Sequence, residues 1–448
     1  MRQYFESGIT RPYTFRKHQL LAFKQAILNN EEEIRNALHT DLKKSPAESW
    51  ITETGFLLAE INHALKNLKE WMAPERVSTA LVNLPSKSYI RNDPMGVVLI
   101  IGPWNYPLQL LFTPLAGAIA AGNCAVLKPS EFSPATTLVM KKIIGETFDA
   151  RFVQLIEGDG AVVIPEMMDN FVFDHIFYTG STAIGKVIYQ AAAKDLIPVT
   201  LELGGKSPCV VEADANITVT AKRISVAKFS NAGQMCVAPD YVLVHQSKKA
   251  LLLEAFKESI TSFFGNDASL SEDFGKIINL KQFDRLIEYL HQGTIVAGGR
   301  FDRHTLFIEP TILDHVSLDD PIMKEEIFGP ILPVIGFDTM EEAKEIITRN
   351  KNPLAFYVFT DSGSKAEDWL NSVASGGGCV NNAAFHLFNH SQPFGGRGYS
   401  GNGRYHGKYS FDTFSHKKPV MKTPVWFDPA LKYPPFKGKL NLLKWLVK

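Results

Sequence analysis

Two doubly wound α/β domains joined near residue 204 are the architecture this sequence predicts, and three observations predict it. Short apolar runs alternate with segments whose apolar residues recur at helical spacing, the pattern of a mostly parallel sheet covered by helices. After Gly204-Gly205 the alternation starts again, so a single sheet does not account for it. The chain has 448 residues, enough for about three ordinary domains or two large ones.

The elements follow in order. From Arg16 to Lys44 the residues Leu20, Leu21, Ile27, Leu28, Ile34 and Leu38 stand at helical spacing among many charges, an amphipathic scaffold region. Pro74, Pro85 and Pro94 punctuate a polar linker around a β-like run, Val77 to Ile90, which predicts an arm that pairs outside its own domain. The first alternation takes in Val97 to Ile101, a helix around Leu108 to Ala121, Ala125 to Leu127 and a helix opened by Ser133-Pro134. It continues through Phe152 to Ile156, His175 to Tyr178, a helix after Thr182, and Val199 to Leu203. The second takes in Cys209 to Val211, a helix near Asn216 to Phe229, Tyr241 to His245 and a helix from Ser247. Ile331 to Val334, a helix from Glu341 to Ile347, and Phe356 to Phe359 complete it.

The expected division is residues 1–76 and 95–203 in the first domain, 77–94 and 411–430 in an arm, 204–410 in the second domain, and 431–448 in a tail. In that tail Leu442, Leu443 and Leu446 oppose Lys437, Lys444 and Lys448 on a helical wheel. It is expected to pack on the protein, with weak contact to a membrane surface as the alternative.

Charge excludes some functions. Lys and Arg number 47, Asp and Glu 47, so no global field draws the chain to nucleic acid or an anionic membrane. The most apolar stretch, Met95 to Leu127, is broken by glycines, prolines and asparagines before it reaches the roughly 20 residues that span a bilayer. The N-terminus lacks the apolar run of a signal peptide. Four cysteines, at 124, 209, 236 and 379, form no close pair and no CxxC, so neither a disulfide framework nor a metal site is expected. A reducing cytoplasm fits this usage.

Three residues suggest chemistry, each with an ordinary alternative. Cys236 sits in Gly233-Gln-Met-Cys, where a loop thiol within reach of substrate can act as a nucleophile; the alternative is a buried structural cysteine, the reading given to Cys124 and Cys209. Cys379, in a second glycine-rich loop, is the weaker candidate. Glu202, flanked by two leucines at a strand end, is placed to become a general base through partial desolvation, or else faces water on an edge strand. Asn105, in Pro103-Trp-Asn-Tyr-Pro107 beyond a buried strand, can donate to an oxyanion or simply make a turn. The segment Gly180 to Lys186 reads as GxxxxGK, yet Val187 stands where a P-loop needs a hydroxyl for magnesium. What survives is an anion site at a helix start, or a tight βα turn; GxGxxG is absent from it.

Taken together these residues resemble the aldehyde dehydrogenase superfamily over about residues 1 to 420. The motifs are Pro103-Trp-Asn-Tyr-Pro107, Lys128-Pro-Ser-Glu131, Tyr178-Thr-Gly-Ser-Thr182, Leu201-Glu-Leu-Gly-Gly-Lys-Ser-Pro208, Gly233-Gln-Met-Cys236, Glu325-Glu-Ile-Phe-Gly-Pro330 and Pro393-Phe-Gly-Gly396. The run from Tyr405 to His416 is similar to the class 3 branch, with its fatty, aromatic and coniferyl aldehyde dehydrogenases. Met235 departs from the threonine or glutamine commoner before the cysteine.

The resemblance implies a Rossmann-like NAD-binding domain, a catalytic domain and a β oligomerisation arm. It further implies that Cys236 attacks the aldehyde, that Asn105 and the Cys236 N–H hold the oxyanion, and that Glu202 activates water. Lys128 and Glu131 would meet the adenosine ribose, Gly180, Ser181 and Gly185 the pyrophosphate, Glu326 the nicotinamide ribose and Phe328 its ring. The expected cofactor is NAD, with NADP possible, and the expected assembly a homodimer. Tyr106, Leu110, Phe229, Phe385 and Phe394 are expected to line an apolar pocket for medium-chain or aromatic aldehydes. The rival readings are a CoA-acylating relative, which typically lacks the glutamate, and a non-catalytic protein on the same fold.

Overall fold

A computed structural model describes residues 1–446. Two large sheets and an antiparallel arm organise them. The first sheet has six strands in the order Gly401–Asn402, Val199–Glu202, His175–Thr179, Val97–Ile101, Cys124–Lys128, Val153–Leu155. All its pairings are parallel except that of Gly401–Asn402. Every residue of the three middle strands is buried, the signature of a parallel sheet covered on both faces. Strand order reverses beside Val97–Ile101, where open α/β sheets bind ligands beyond their carboxyl ends. Asn105 and Gly180 both lie just past that point.

The second sheet has seven strands in the order Thr294–Ala297, Thr311–Asp314, Ile331–Phe337, Tyr241–His245, Pro208–Val211, Ala355–Phe359, Gly377–Val380. Only the first pairing is antiparallel. Gly377–Val380, expected to be loop, is an edge strand paired with Ala355–Phe359. The arm joins Glu75–Val77, Lys87–Pro94 and Ser415–Lys422, with Ser415 opposite Pro94 and Lys422 opposite Lys87.

Several boundaries differ from expectation for physical reasons. The region Arg16 to Lys44 is two helices, Tyr13–Asn29 and Glu31–Leu42, parted at Asn30. Three glutamates in the first turn of the second suit its positive end. Residues 401–402, inside the 204–410 segment assigned to the second domain, return to the first sheet beside Glu202. Residues 411–413, assigned to the arm, belong to the helix Lys408–Thr413, because Phe411 and Phe414 are fully buried in the core.

The tail does not pack as expected. Helix Leu440–Leu446 leaves Leu440, Leu442 and Trp445 exposed, and Trp426 before it is exposed too. The side chain of Leu446, with Val447 and Lys448, lies outside the described residues. Among the described residues no helix is long and apolar enough to cross a membrane.

Candidate active site

Cys236 is delivered by an unusual turn. Helix Ile217–Phe229 ends, and Asn231, Ala232 and Gly233 then hold φ of +49°, +50° and +74°. For Asn and Ala that is strained backbone, which persists only where the surroundings over-determine it. Here they do. A Cβ at Gly233 would stand 2.2 Å from the carbonyl oxygen of Gly329. The amide of Gln234 donates to the carbonyls of Asn231 at 3.0 Å and Lys276 at 2.9 Å, and its oxygen accepts from the N–H of Ile278 at 3.0 Å. The motif glutamine is thus the anchor of the cysteine turn. Burial pushes the Cys236 thiol up, the carboxyls of Glu326 and Glu202 push it further, and the N–H groups of Cys236 and Val237 oppose them.

Asn105 is held against the same turn. Its side-chain amide donates to the Gln234 carbonyl at 2.9 Å, and its own carbonyl accepts from Asn231 Nδ2 at 2.8 Å and Lys44 Nζ at 3.0 Å. Lys44 and Glu53 form a fully buried pair at 2.5 Å, with the ammonium 3.8 Å from the centre of the Tyr106 ring. The free oxygen of Glu53 accepts from the N–H of Gln109 at 2.8 Å, fixing the start of helix Gln109–Ala121. Lys44 and Glu53 escaped sequence reasoning, because charges flanked by polar residues such as Lys43, Ser45, Thr52 and Thr54 read as solvated. Asn231 escaped it as an ordinary residue at a helix end.

Glu202 ends its strand with both carboxyl oxygens buried and without a hydrogen-bond partner. The water-facing alternative is therefore overturned: Gly401 covers that edge and the side chain is 2% exposed. Burial alone pushes its carboxyl well above the usual carboxylate range. A buried carboxyl without partners is costly unless neutral.

A cavity of about 570 Å³ opens at Cys236. Tyr106, Leu110, Phe385 and Phe394 line it, as expected. Phe229 does not. It is fully buried in the hydrophobic core, and Val226 and Ser230, four apart, face the cavity instead.

The dinucleotide candidates cluster beyond the first sheet. Lys128 is buried, donating to the Pro129 carbonyl at 2.6 Å, with Glu131 at 3.4 Å and exposed. Ser181 caps helix Thr182–Ala193, accepting from the N–H of Ile184 at 3.5 Å, so that end keeps the dipole a phosphate favours. Side chains would fill this cradle: a Cβ at Gly180 would meet the Tyr178 hydroxyl at 2.3 Å, and one at Gly204 would meet Glu326 at 2.0 Å. Gly185 is buried in the same helix. Burial, then Asp240, pushes the Glu326 carboxyl up to about 8, against the Gly205 N–H and Lys206. Phe328, at φ +51°, lays its ring edge-on to Trp104 at 5.3 Å. The residues present fit a dinucleotide.

Comparison with known proteins agrees. The profile of the Aldehyde dehydrogenase family matches residues 2–420. A 4,4'-diaponeurosporen-aldehyde dehydrogenase of Staphylococcus aureus is 46% identical, covering 99% of this chain and 97% of that one. Aldehyde dehydrogenase family 3 member H1 of Arabidopsis thaliana is also 46% identical, covering 100% and 93%. Among solved structures, substrate-bound Staphylococcus aureus AldH superposes with a TM-score of 0.97 at 45% identity, covering 100% of this chain and 98% of that one. An indole-3-acetaldehyde dehydrogenase complexed with NAD+ gives 0.86 at 29%, covering 94% and 87%. With Cys236 on the wall of an apolar cavity, and with relatives matched along the whole chain, this protein belongs to the aldehyde dehydrogenase family and oxidises aldehydes to acids.

Proposed function

We propose that the chain oxidises medium-chain aliphatic or aromatic aldehydes through an acylated Cys236. The observation that carries this reading is Glu202: two buried, unpartnered carboxyl oxygens near enough to Cys236 to push its thiol up. The Cys236 sulfur attacks the aldehyde carbon, and the new oxyanion takes hydrogen bonds from Asn105 Nδ2 and the Cys236 N–H. NAD, when bound, supplies the hydride acceptor. The resulting thioester is opened by water that gives its proton to Glu202, which releases the acid and restores the thiol. Glu202 also argues against the CoA-acylating alternative, which has no use for a water-activating base. A non-catalytic role has no need of it either. The test is a panel of aldehydes with NAD and NADP, read by cofactor absorbance; absence of any aldehyde-dependent signal would refute the reading.

The apolar cavity lining supports the substrate class. Lys128 and Glu131 are assigned to the adenosine ribose, Gly180, Ser181 and Gly185 to the pyrophosphate, and Glu326 and Phe328 to the nicotinamide end. The carboxylate at Glu131 supports NAD over NADP, since it accepts from ribose hydroxyls and repels an added phosphate.

A cytoplasmic homodimer completes the proposal. All four cysteines are free. The arm strand Ser415–Lys422 and the sheet strand Gly377–Val380 each lie at a sheet edge, open to pairing with a second copy. Sedimentation showing a stable monomer or tetramer at micromolar concentration would exclude the dimer. The exposed tail is assigned to a membrane surface instead of its own chain, since Leu440 and Trp445 lie open beside Lys437 and Lys444. Co-flotation with anionic liposomes, lost when 437–448 are deleted, is the expected result; no flotation would exclude it.

A further inference from the structure

Helix Gly55–Trp71 carries Phe56, Glu60 and His63 at positions i, i+4 and i+7, one face of the helix. Glu60 is buried, and its two oxygens hold two separate stretches of chain. Oε1 accepts from His390 Nδ1 at 2.6 Å, and Oε2 accepts from the N–H of Gly407 at 2.9 Å. His390 closes the segment that brings Phe385 and Phe388 to the cavity, and Gly407 follows Tyr405 and His406, which line it as well. Phe56 completes this wall, 5.5 Å from the Phe388 ring and 5.3 Å from that of His406. The two stretches touch directly. At Gly407, φ +50°, a Cβ would stand 2.1 Å from the His390 carbonyl oxygen. The reaction proposed above uses neither Glu60 nor His390.

We infer that the Glu60–His390 pair is a strut that sets the width of the outer cavity, and with it the preference between bulky and small aldehydes. Both are positioning residues, and the inference rests on reading the cavity as the aldehyde site. A buried carboxylate bonded to an imidazolium is stronger than a neutral hydrogen bond and tolerates less misplacement. The groups facing His390 are Glu60 and His63 from the helix, with Lys66 acting on His63, and His406 across the contact with Gly407. The bond to Glu60 holds His390 above the ordinary imidazole value, while burial pushes His63 down and His406 to about 4. Burial pushes Glu60 up, but His390, His406 and the Gly407 N–H outweigh it and leave its carboxyl below the ordinary value. Below the His390 value the charge of this cluster therefore resides in the pair. As pH rises through the His390 value the imidazolium loses its charge, and the ion pair becomes a weaker hydrogen bond between neutral imidazole and the Glu60 carboxylate.

The experiment compares acetaldehyde with a bulky aromatic aldehyde in the wild type, Glu60→Gln and His390→Gln. Expected is a rise of about five- to tenfold in KM for the bulky aldehyde in both variants, with KM and the cofactor burst for acetaldehyde within about twofold. In the wild type the ratio of the two KM values climbs as pH rises through the His390 value; in His390→Gln it is flat. Using the ratio removes the titration of Cys236 and Glu202, which both aldehydes share. Equal changes for both aldehydes, no change, or the wild-type pH dependence of the ratio in His390→Gln would overturn the strut. If Glu60→Gln does not fold, His390→Gln, whose side chain is partly exposed, decides alone. Oxidation of acetaldehyde by every variant without any selectivity shift sinks the strut and spares the proposed function, whereas a wild type inert to all aldehydes sinks both.

Discussion

The side-chain amide of Asn105 donates to the carbonyl of Gln234 at 2.9 Å, so the proposed oxyanion donor is tied to the turn that carries Cys236. The two cannot drift apart independently, which is how a site held by loops keeps the geometry that oxyanion stabilisation requires. Asn105→Ala should lower kcat by about 10²- to 10³-fold, the usual effect of removing one such donor. Steady-state kinetics with a small aldehyde check it, and unchanged kcat would remove Asn105 from the reaction.

Glu202→Gln keeps shape and loses basicity. Steady turnover should fall by about 10²- to 10⁴-fold, the share of general base catalysis, while rapid mixing still shows one burst of reduced cofactor and an acyl group trapped on Cys236. Cys236→Ala should abolish turnover and acylation together. If Glu202 also deprotonates the thiol, raising the pH restores the burst in Glu202→Gln. Wild-type turnover in that variant, or no acylation at any pH in folded protein that binds NAD, would refute the role.

Lys44→Met strands the Glu53 carboxylate, which is fully buried with its partner. Breaking such a pair costs about 3–5 kcal/mol, whereas replacing both partners by apolar side chains is often near neutral. The double variant Lys44→Met with Glu53→Leu should recover most of the denaturation midpoint. It should not recover activity in full, since the Asn105 carbonyl has lost its ammonium. Midpoints that add instead of compensating would show that the pair is not coupled.

Burial holds His175, His386 and His406 neutral, each pushed down to about 4 from an ordinary 6.5. The unfolded chain takes up their protons below pH 6.5 and the folded chain does not until near 4. Stability from these groups is therefore complete above 6.5 and falls as pH drops through that window, by about 4 kcal/mol per unit when all three contribute. Urea denaturation at pH 7 and pH 5.5 checks the slope, and His175→Gln should remove about a third of it.

Glu131, exposed 3.4 Å from Lys128, is the test of cofactor choice. Glu131→Gln should narrow the preference for NAD by improving kcat/KM with NADP, leaving the NAD burst amplitude unchanged. A wild-type enzyme at least tenfold better with NADP would show that the carboxylate does not face the ribose.

The alternation of apolar runs already contained both sheets, because fully buried parallel strands must be nearly continuous in apolar residues, as Val97–Ile101 and Ala355–Phe359 are. Cys236, Glu202 and Asn105 stood out as candidates because a thiol in a glycine-rich loop, and a carboxyl and an amide at the ends of buried strands, are unusual residue types in those places. Helix phase misled at Phe229, where one residue turns a side chain from cavity to core. Only the tertiary structure decided what the charged residues do. Lys44, Glu53, Glu60 and His390 lie far from Cys236 in sequence, and side chains of their type are ordinarily solvated. The burial of Glu60 against His390 arises from packing of helix Gly55–Trp71 against residues 385–407, and that of Lys44 and Glu53 from contact with Asn105 and Gln109; no local pattern in the chain encodes either meeting.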